Sequence, residues 1–269
     1  MTTLTLDLDL LKAKIYHNLK SIMIPGDTLP PRSLEIAICE AFGVAHVGDG
    51  NFYADGYLND IQVSVKTRMM NPHVLKTKIG RDFQSDPDKF LGPHQNVKQN
   101  KWTAGLEIVQ RRQQLDFKND STVPAGKIGI ATLKGFQDNV NESYKKYNTT
   151  QSYEIVGVHG YSRTRSSYLI SLYWQEYQSL DGTAIEWVRE GYGVAGYQTI
   201  NDVQQKICER VNGNAKREAT CFKEYKNLTK YKHSAEIKLP IPESWSFDKN
   251  AILAEINLKE NANVSRLFE

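Results

Sequence analysis

Asp55, Ser64 and Lys66 stand in a stretch whose side chains suit chemistry on a phosphodiester: Phe52-Tyr-Ala-Asp55-Gly-Tyr-Leu-Asn-Asp60-Ile-Gln62-Val-Ser64-Val-Lys66-Thr-Arg68. A carboxylate there can hold Mg²⁺. A lysine can orient or deprotonate an attacking water and steady the charge on a phosphate. The stretch reads as two short strands joined by a tight turn. On the second strand the period of two puts Asp60, Gln62, Ser64 and Lys66 on one face and Ile61, Val63 and Val65 on the other.

The elements that must hold these residues can be read on both sides. Leu8, Leu11, Ile15 and Leu19 recur at helical spacing and predict a helix over Leu4 to Ser21. Pro25, Gly26, Pro30 and Pro31 interrupt it. A second helix is expected from Ser33, as its cap, to Phe42, with Leu34, Ile38 and Ala41 as its apolar stripe. Residues 69–126 are polar and weakly periodic, and read as an insertion or recognition subregion with its best helix over Ala104 to Leu115. Lys127 to Lys134 reads as a strand or strand-loop, and Gly135 to Tyr147 as a helix. Strands are expected at Tyr153 to Gly160, Tyr168 to Tyr177, Ile185 to Arg189 and Ser234 to Leu239. Asp202 to Arg210 reads as a helix with Val203 and Ile207 inward. This order predicts one α/β (α+β) domain over residues 1–269, with a central mixed β-sheet flanked by helices.

That order of helix, loop, Asp-Gly at a strand end, turn, and strand ending Val-x-Val-Lys-Thr-Arg resembles the catalytic core of the PD-(D/E)xK nucleases, especially type II restriction endonucleases. The resemblance covers about Ser33 to Arg68. It implies a restriction-endonuclease-like core in which Asp55 is the first metal-binding acid, Ser64 occupies the second acidic position and Lys66 is the lysine. Ala54 stands where the family has proline, and Ser64 replaces a carboxylate. Some restriction enzymes are similar in carrying Ser-x-Lys, with the missing carboxylate supplied from a helix. Glu40, amid the apolar residues of the second helix, is the expected donor, while Glu35 is expected to face elsewhere. Asp60 and Asp82 are fallback donors, and Gln62 is a neutral neighbour of the site. The implied activity is Mg²⁺-dependent cleavage of double-stranded DNA by a homodimer, one active site per strand. The same core could also serve an inactive DNA-binding or protein-interaction module, or a repair nuclease acting on branched or damaged DNA.

DNA contacts are expected outside the core. Arg163 and Arg165 mark a hairpin tip; Lys98 and Lys101, Arg111 and Arg112, and Arg68 are further cationic positions suited to phosphates or base edges. The formal charge of +3 permits such binding without arguing for it. Cys39, Cys208 and Cys221 are far apart and form no zinc knuckle. Gly191-Tyr-Gly193-Val-Ala-Gly196 has the spacing of a dinucleotide motif, but its polar flanks read as a glycine-rich loop. No apolar run reaches the roughly 20 residues of a membrane span, and no basic segment precedes an apolar one at the N-terminus. A cytoplasmic protein is expected.

Overall fold

A computed structural model describes residues 4–20, 29–48, 53–69, 101–105, 123–161, 167–191, 193–200, 202–212, 220–225 and 230–242. Two helices, α1 (Leu8–Lys20) and α2 (Pro31–Ala41), precede three strands, β1 (Ala45–His46), β2 (Gly56–Leu58) and β3 (Ile61–Met69). Pro31 lies at the start of α2, where a missing N–H costs nothing, and Pro30 rather than Ser33 is the capping residue. The buried residues of α1 are Leu11, Ile15 and Leu19, the stripe its spacing predicts.

Strand β4 (Lys101–Gly105) is followed by α3 (Ala125–Tyr147), then β5 (Gln151–Tyr161) and β6 (Ser167–Glu176). Helix α3 takes in Lys127 to Lys134, which the sequence reading places in a strand. Its buried positions Ile128, Thr132, Phe136, Asn139, Val140 and Ser143 recur every three or four residues, so a helical stripe prevails over the local Ile-Gly-Ile pattern. The remaining strands are β7 (Glu186–Glu190), β8 (Gly193–Ile200), β9 (Val203–Asn212), β10 (Thr220–Tyr225) and β11 (His233–Pro240).

The strands form two sheets. One is mixed, with the order β1-β2-β3-β5-β6-β11. Strands β1, β2 and β3 are antiparallel neighbours, whereas β3 and β5 run parallel, as a connection through α3 requires. Ile61, Val63 and Val65 of β3 pack with Ile155, Leu172 and Trp174 against Leu11, Ile15, Leu34 and Ile38 of the two N-terminal helices. The second sheet is antiparallel, β4-β10-β9-β8-β7. Phe136 and Leu133 of α3 meet Ile185, Cys208 and Phe222 beneath it, and Tyr53 from the segment before β2 joins them. Helix α3 also gives Val140 to this second cluster.

Three expectations change here. Asp202 to Arg210 is not a helix: Val203 to Asn212 is β9, and Val203 is exposed rather than inward. The apparent dinucleotide motif runs into β8, where Gly193 and Gly196 are strand residues. Ala104 and Gly105 end strand β4, and the rest of the helix expected at 104–115 lies outside the described residues. Among the described residues no helix is long and apolar enough to cross a membrane.

Close approach of α3 to β7 depends on Gly129. A methyl group there would fall 2.0 Å from the Trp187 ring. By contrast, Gly126 one turn earlier has open space around it. Gly129→Val is therefore expected to destabilise the fold by about 2 kcal/mol through overpacking. Gly126→Ala is expected to stabilise by about 0.5–1 kcal/mol through helix propensity. Denaturant unfolding of the two variants beside the unsubstituted chain checks both; equal stabilities would contradict the tight helix–strand packing.

His159 on β5 is buried, with Nδ1 2.6 Å from the Tyr168 hydroxyl. Burial disfavours the imidazolium and lowers its pKa to about 4 from the ordinary 6.5. Above pH 6.5 both folded and unfolded chains hold this group neutral. As the pH falls from 6.5 to 4 only the unfolded chain takes up the proton, so folding stability drops by about 3 kcal/mol and then levels off on this group's account. Unfolding midpoints measured from pH 7 to pH 4 should show this slope, and His159→Gln should remove it.

Candidate functional site

Asp55 follows Tyr53 and Ala54, both buried, and immediately precedes β2. Its backbone is held from two sides: its N–H donates to the Val63 carbonyl (2.8 Å), and its carbonyl accepts from the Val47 N–H (3.0 Å). Gly56 makes this possible. Any Cβ there would lie 2.8 Å from the Ala45 carbonyl oxygen and 2.5 Å from the Val44 side chain, so only glycine lets β1 cross so near.

The Asp55 side chain reaches over β3. Its Oδ2 accepts from the Val65 N–H at 2.7 Å, from Lys66 Nζ at 2.9 Å and from the Ser64 hydroxyl at 3.3 Å. Both charged groups are largely but not wholly covered, Asp55 at 19% and Lys66 at 25% side-chain exposure. The hairpin that the spacing predicts thus brings Asp55, Ser64 and Lys66 together, with Ser64 bonded to the acid it was expected to accompany. Gln62 goes elsewhere: it is fully buried and its Nε2 donates to the Val140 carbonyl of α3 at 3.5 Å. A central strand covered on both faces leaves it no route to the site.

The helix acid is the main correction. Glu40 is exposed on the outside of α2, paired with Lys14 of α1 at 2.9 Å. Glu35 instead is hydrogen-bonded to His46, whose strand β1 pairs with β2 beside Asp55. Five residues of a helix with 3.6 per turn place the two acids about 140° apart, so only one of them can flank Asp55. Glu35 shares its side of α2 with Cys39, four residues on, and the Asp55 charge acts on both. Burial, then Asp55, raises the Glu35 pKa above the usual carboxylate value; the hydrogen bond from His46 and the Lys66 charge pull the other way. Burial and the same negative charge push the Cys39 thiol up, which keeps it protonated and inert.

His46, which the sequence reading leaves aside, also belongs here. Its Nε2 lies 2.7 Å from Glu35 Oε1, and on the sheet it stands opposite Gly56, next to Asp55. The signal for Glu35 was its place one turn before Cys39 on the buried side of α2. Nothing in the spacing of His46 marks it, because a two-residue strand carries no period.

Other acids are engaged away from Asp55. Asp60 accepts from Gln151 (3.3 Å) and Thr150 (3.5 Å) at the far end of β3. Glu154, opposite Ser64 in the parallel register, accepts from Gln175 and Tyr231. Asp82 lies outside the described residues, as do Lys98, Arg111, Arg112, Arg163 and Arg165. Of the remaining expected DNA contacts, Lys101 is the first residue of β4 and Arg68 lies near the end of β3.

Among the described residues no group of three or more His, Cys, Asp or Glu side chains could hold a metal ion. One class of cation asks less of the protein. Mg²⁺ keeps several waters and is commonly held by one or two carboxylates together with substrate phosphate oxygens, whereas a structural zinc site needs four protein ligands. Among the described residues the hydrogen bonds to the Asp55 carboxylate all fall on Oδ2. That pattern keeps the second oxygen available as a hard ligand.

No family model matches the chain, and neither a curated protein nor a solved structure is significantly similar to it.

Proposed function

We propose that the chain is a Mg²⁺-dependent endonuclease of the type II restriction kind, hydrolysing phosphodiesters in double-stranded DNA. The observation that carries this reading is the Asp55–Lys66 pair with Ser64 at the junction of β2 and β3, with Glu35 of α2 hydrogen-bonded to His46 of the adjoining β1. The framework is compatible with it: a mixed sheet flanked by helices, with β3 parallel to β5, is the general architecture that the resemblance implies. In this reading Asp55 and Glu35 hold Mg²⁺, and Glu35 rather than Glu40 supplies the carboxylate missing at Ser64.

Bound Mg²⁺ would neutralise charge on the scissile phosphate. The chain's own groups do the rest. The Val65 N–H and the Ser64 hydroxyl hold the Asp55 carboxylate in one orientation. Lys66 lies beside that carboxylate, where its ammonium can move to a non-bridging oxygen or orient the attacking water. Water exclusion by the covered flanks of Asp55 and Lys66 strengthens these interactions. DNA grip and sequence choice fall to Arg68, Lys101 and the cationic positions outside the described residues, with a homodimer engaging both strands.

Purified protein incubated with varied duplex DNA should give discrete fragments with Mg²⁺ and none with a chelator. Intact, folded protein that binds duplex DNA and leaves it uncut at every Mg²⁺ concentration would sink the reading. One observation favours a second reading, an inactive DNA-binding module: Ser64 has no metal-binding carboxylate and is bonded to Asp55. Uptake of Mg²⁺ by the free protein separates the two, since only the enzyme needs it. Cleavage confined to junctions or nicks would instead assign the chain to repair.

A further inference from the structure

We infer that His46 is a positioning residue for the proposed metal site, holding the Glu35 carboxylate against β1, the strand that pairs with β2 beside Asp55. This rests on the proposed Mg²⁺ site and adds a residue to it.

The argument begins with the backbone. Strand β1 is two residues long, and its pairing with β2 sets His46 opposite Gly56, the residue after Asp55. The Val47 N–H bond to the Asp55 carbonyl extends that pairing by one step. His46 and Asp55 therefore share one rigid piece of sheet, while Glu35 comes from a separate element, α2. His46 reaches across to that helix, its Nε2 2.7 Å from Glu35 Oε1. An ionised carboxylate only accepts hydrogen bonds, so the imidazole must be the donor. Both side chains are mostly covered, His46 at 14% and Glu35 at 24% exposure.

A glutamate has three side-chain torsions, and fixing them costs up to about 2 kcal/mol of rotamer freedom. With His46 in place that cost is met when the chain folds rather than when the cation arrives, which raises affinity for the cation. Without it Glu35 can swing toward water, drawn by its own hydration and pushed by the like charge of Asp55. Partners of this kind behind a ligating group are worth about 10- to 100-fold in metal affinity.

The test compares the full chain with His46→Ala and His46→Gln. Mg²⁺ affinity is measured by calorimetry on the free protein, alongside duplex binding without metal and thermal unfolding. His46→Ala should weaken Mg²⁺ binding about 10-fold or more, with DNA affinity and the unfolding midpoint nearly unchanged. His46→Gln, whose amide can donate from about the same reach, should recover most of the Mg²⁺ affinity. Unaltered Mg²⁺ binding in His46→Ala overturns the assignment, and so does an equal loss in both variants, which would make His46 merely structural. If the unsubstituted chain takes up no Mg²⁺, the nuclease reading and this inference fail together. If it does and only the His46 series is flat, the nuclease reading stands alone.

Discussion

Lys66→Ala should lower single-turnover cleavage of duplex DNA by about 10³-fold while leaving DNA affinity within a few-fold of the unsubstituted chain. The proposed loss falls on the transition state, where one well-placed cationic or proton-transferring group is worth about 10² to 10⁴. Binding to the duplex is spread over many phosphate contacts and hardly depends on one lysine in the site. The fold should tolerate the change. Lys66 is a quarter exposed, and Asp55 keeps its bonds from the Val65 N–H and the Ser64 hydroxyl. Quenched-flow cleavage and a binding titration in Ca²⁺ would measure the two effects separately. Cleavage at near the original rate would reduce the Asp55–Lys66 pair to an ordinary ion pair at a sheet end.

The second large effect separates two acids five residues apart on one helix. Glu35→Gln should cut cleavage by about 10²-fold or more and weaken Mg²⁺ binding, because a neutral amide is a poorer ligand for a hard cation. Glu40→Gln should leave both within about twofold. Its carboxylate is exposed and paired only with Lys14, and exposed ion pairs of this kind contribute about 0–1 kcal/mol to stability. The sequence alone favours the opposite result, since Glu40 sits amid apolar neighbours. Activity measured for both variants over a Mg²⁺ series decides between them. Loss in Glu40→Gln with none in Glu35→Gln would mean that α2 presents its other face to the substrate.

Where the sequence was sufficient, the determining physics was local. The turn at Asn59 and Asp60 and the alternation along Ile61 to Val65 are contained within a dozen residues. They place Asp55 against Ser64 and Lys66 without help from the rest of the chain. The stripe of α1 and strands β5, β6 and β11 were legible for the same reason: one period, sustained over several turns or pairs, faces one environment. The general picture of a central mixed sheet with helices on it follows from those elements.

Tertiary structure decided what depends on a second surface. Val203 and Ile207 are four apart, as on a helix, yet they belong to β9, which pairs with β8 between Val203 and Arg210 and with β10 between Cys208 and Asn212. Lys127 to Lys134 reads as strand by composition, yet it is helical because the 3.6 period of Ile128, Thr132 and Phe136 buries one face between two sheets. The second sheet itself was not foreseen as a unit, since its strands pair across long separations in the chain. The same limit governs the candidate site. Burial pattern along α2 shows which side is apolar, but both Glu35 and Glu40 lie beside that stripe, one on each flank. Only the docking of α1 on one flank and of β1 on the other turns Glu40 to Lys14 and Glu35 to His46. An acid's neighbours in space, not in sequence, set which of them can share a cation.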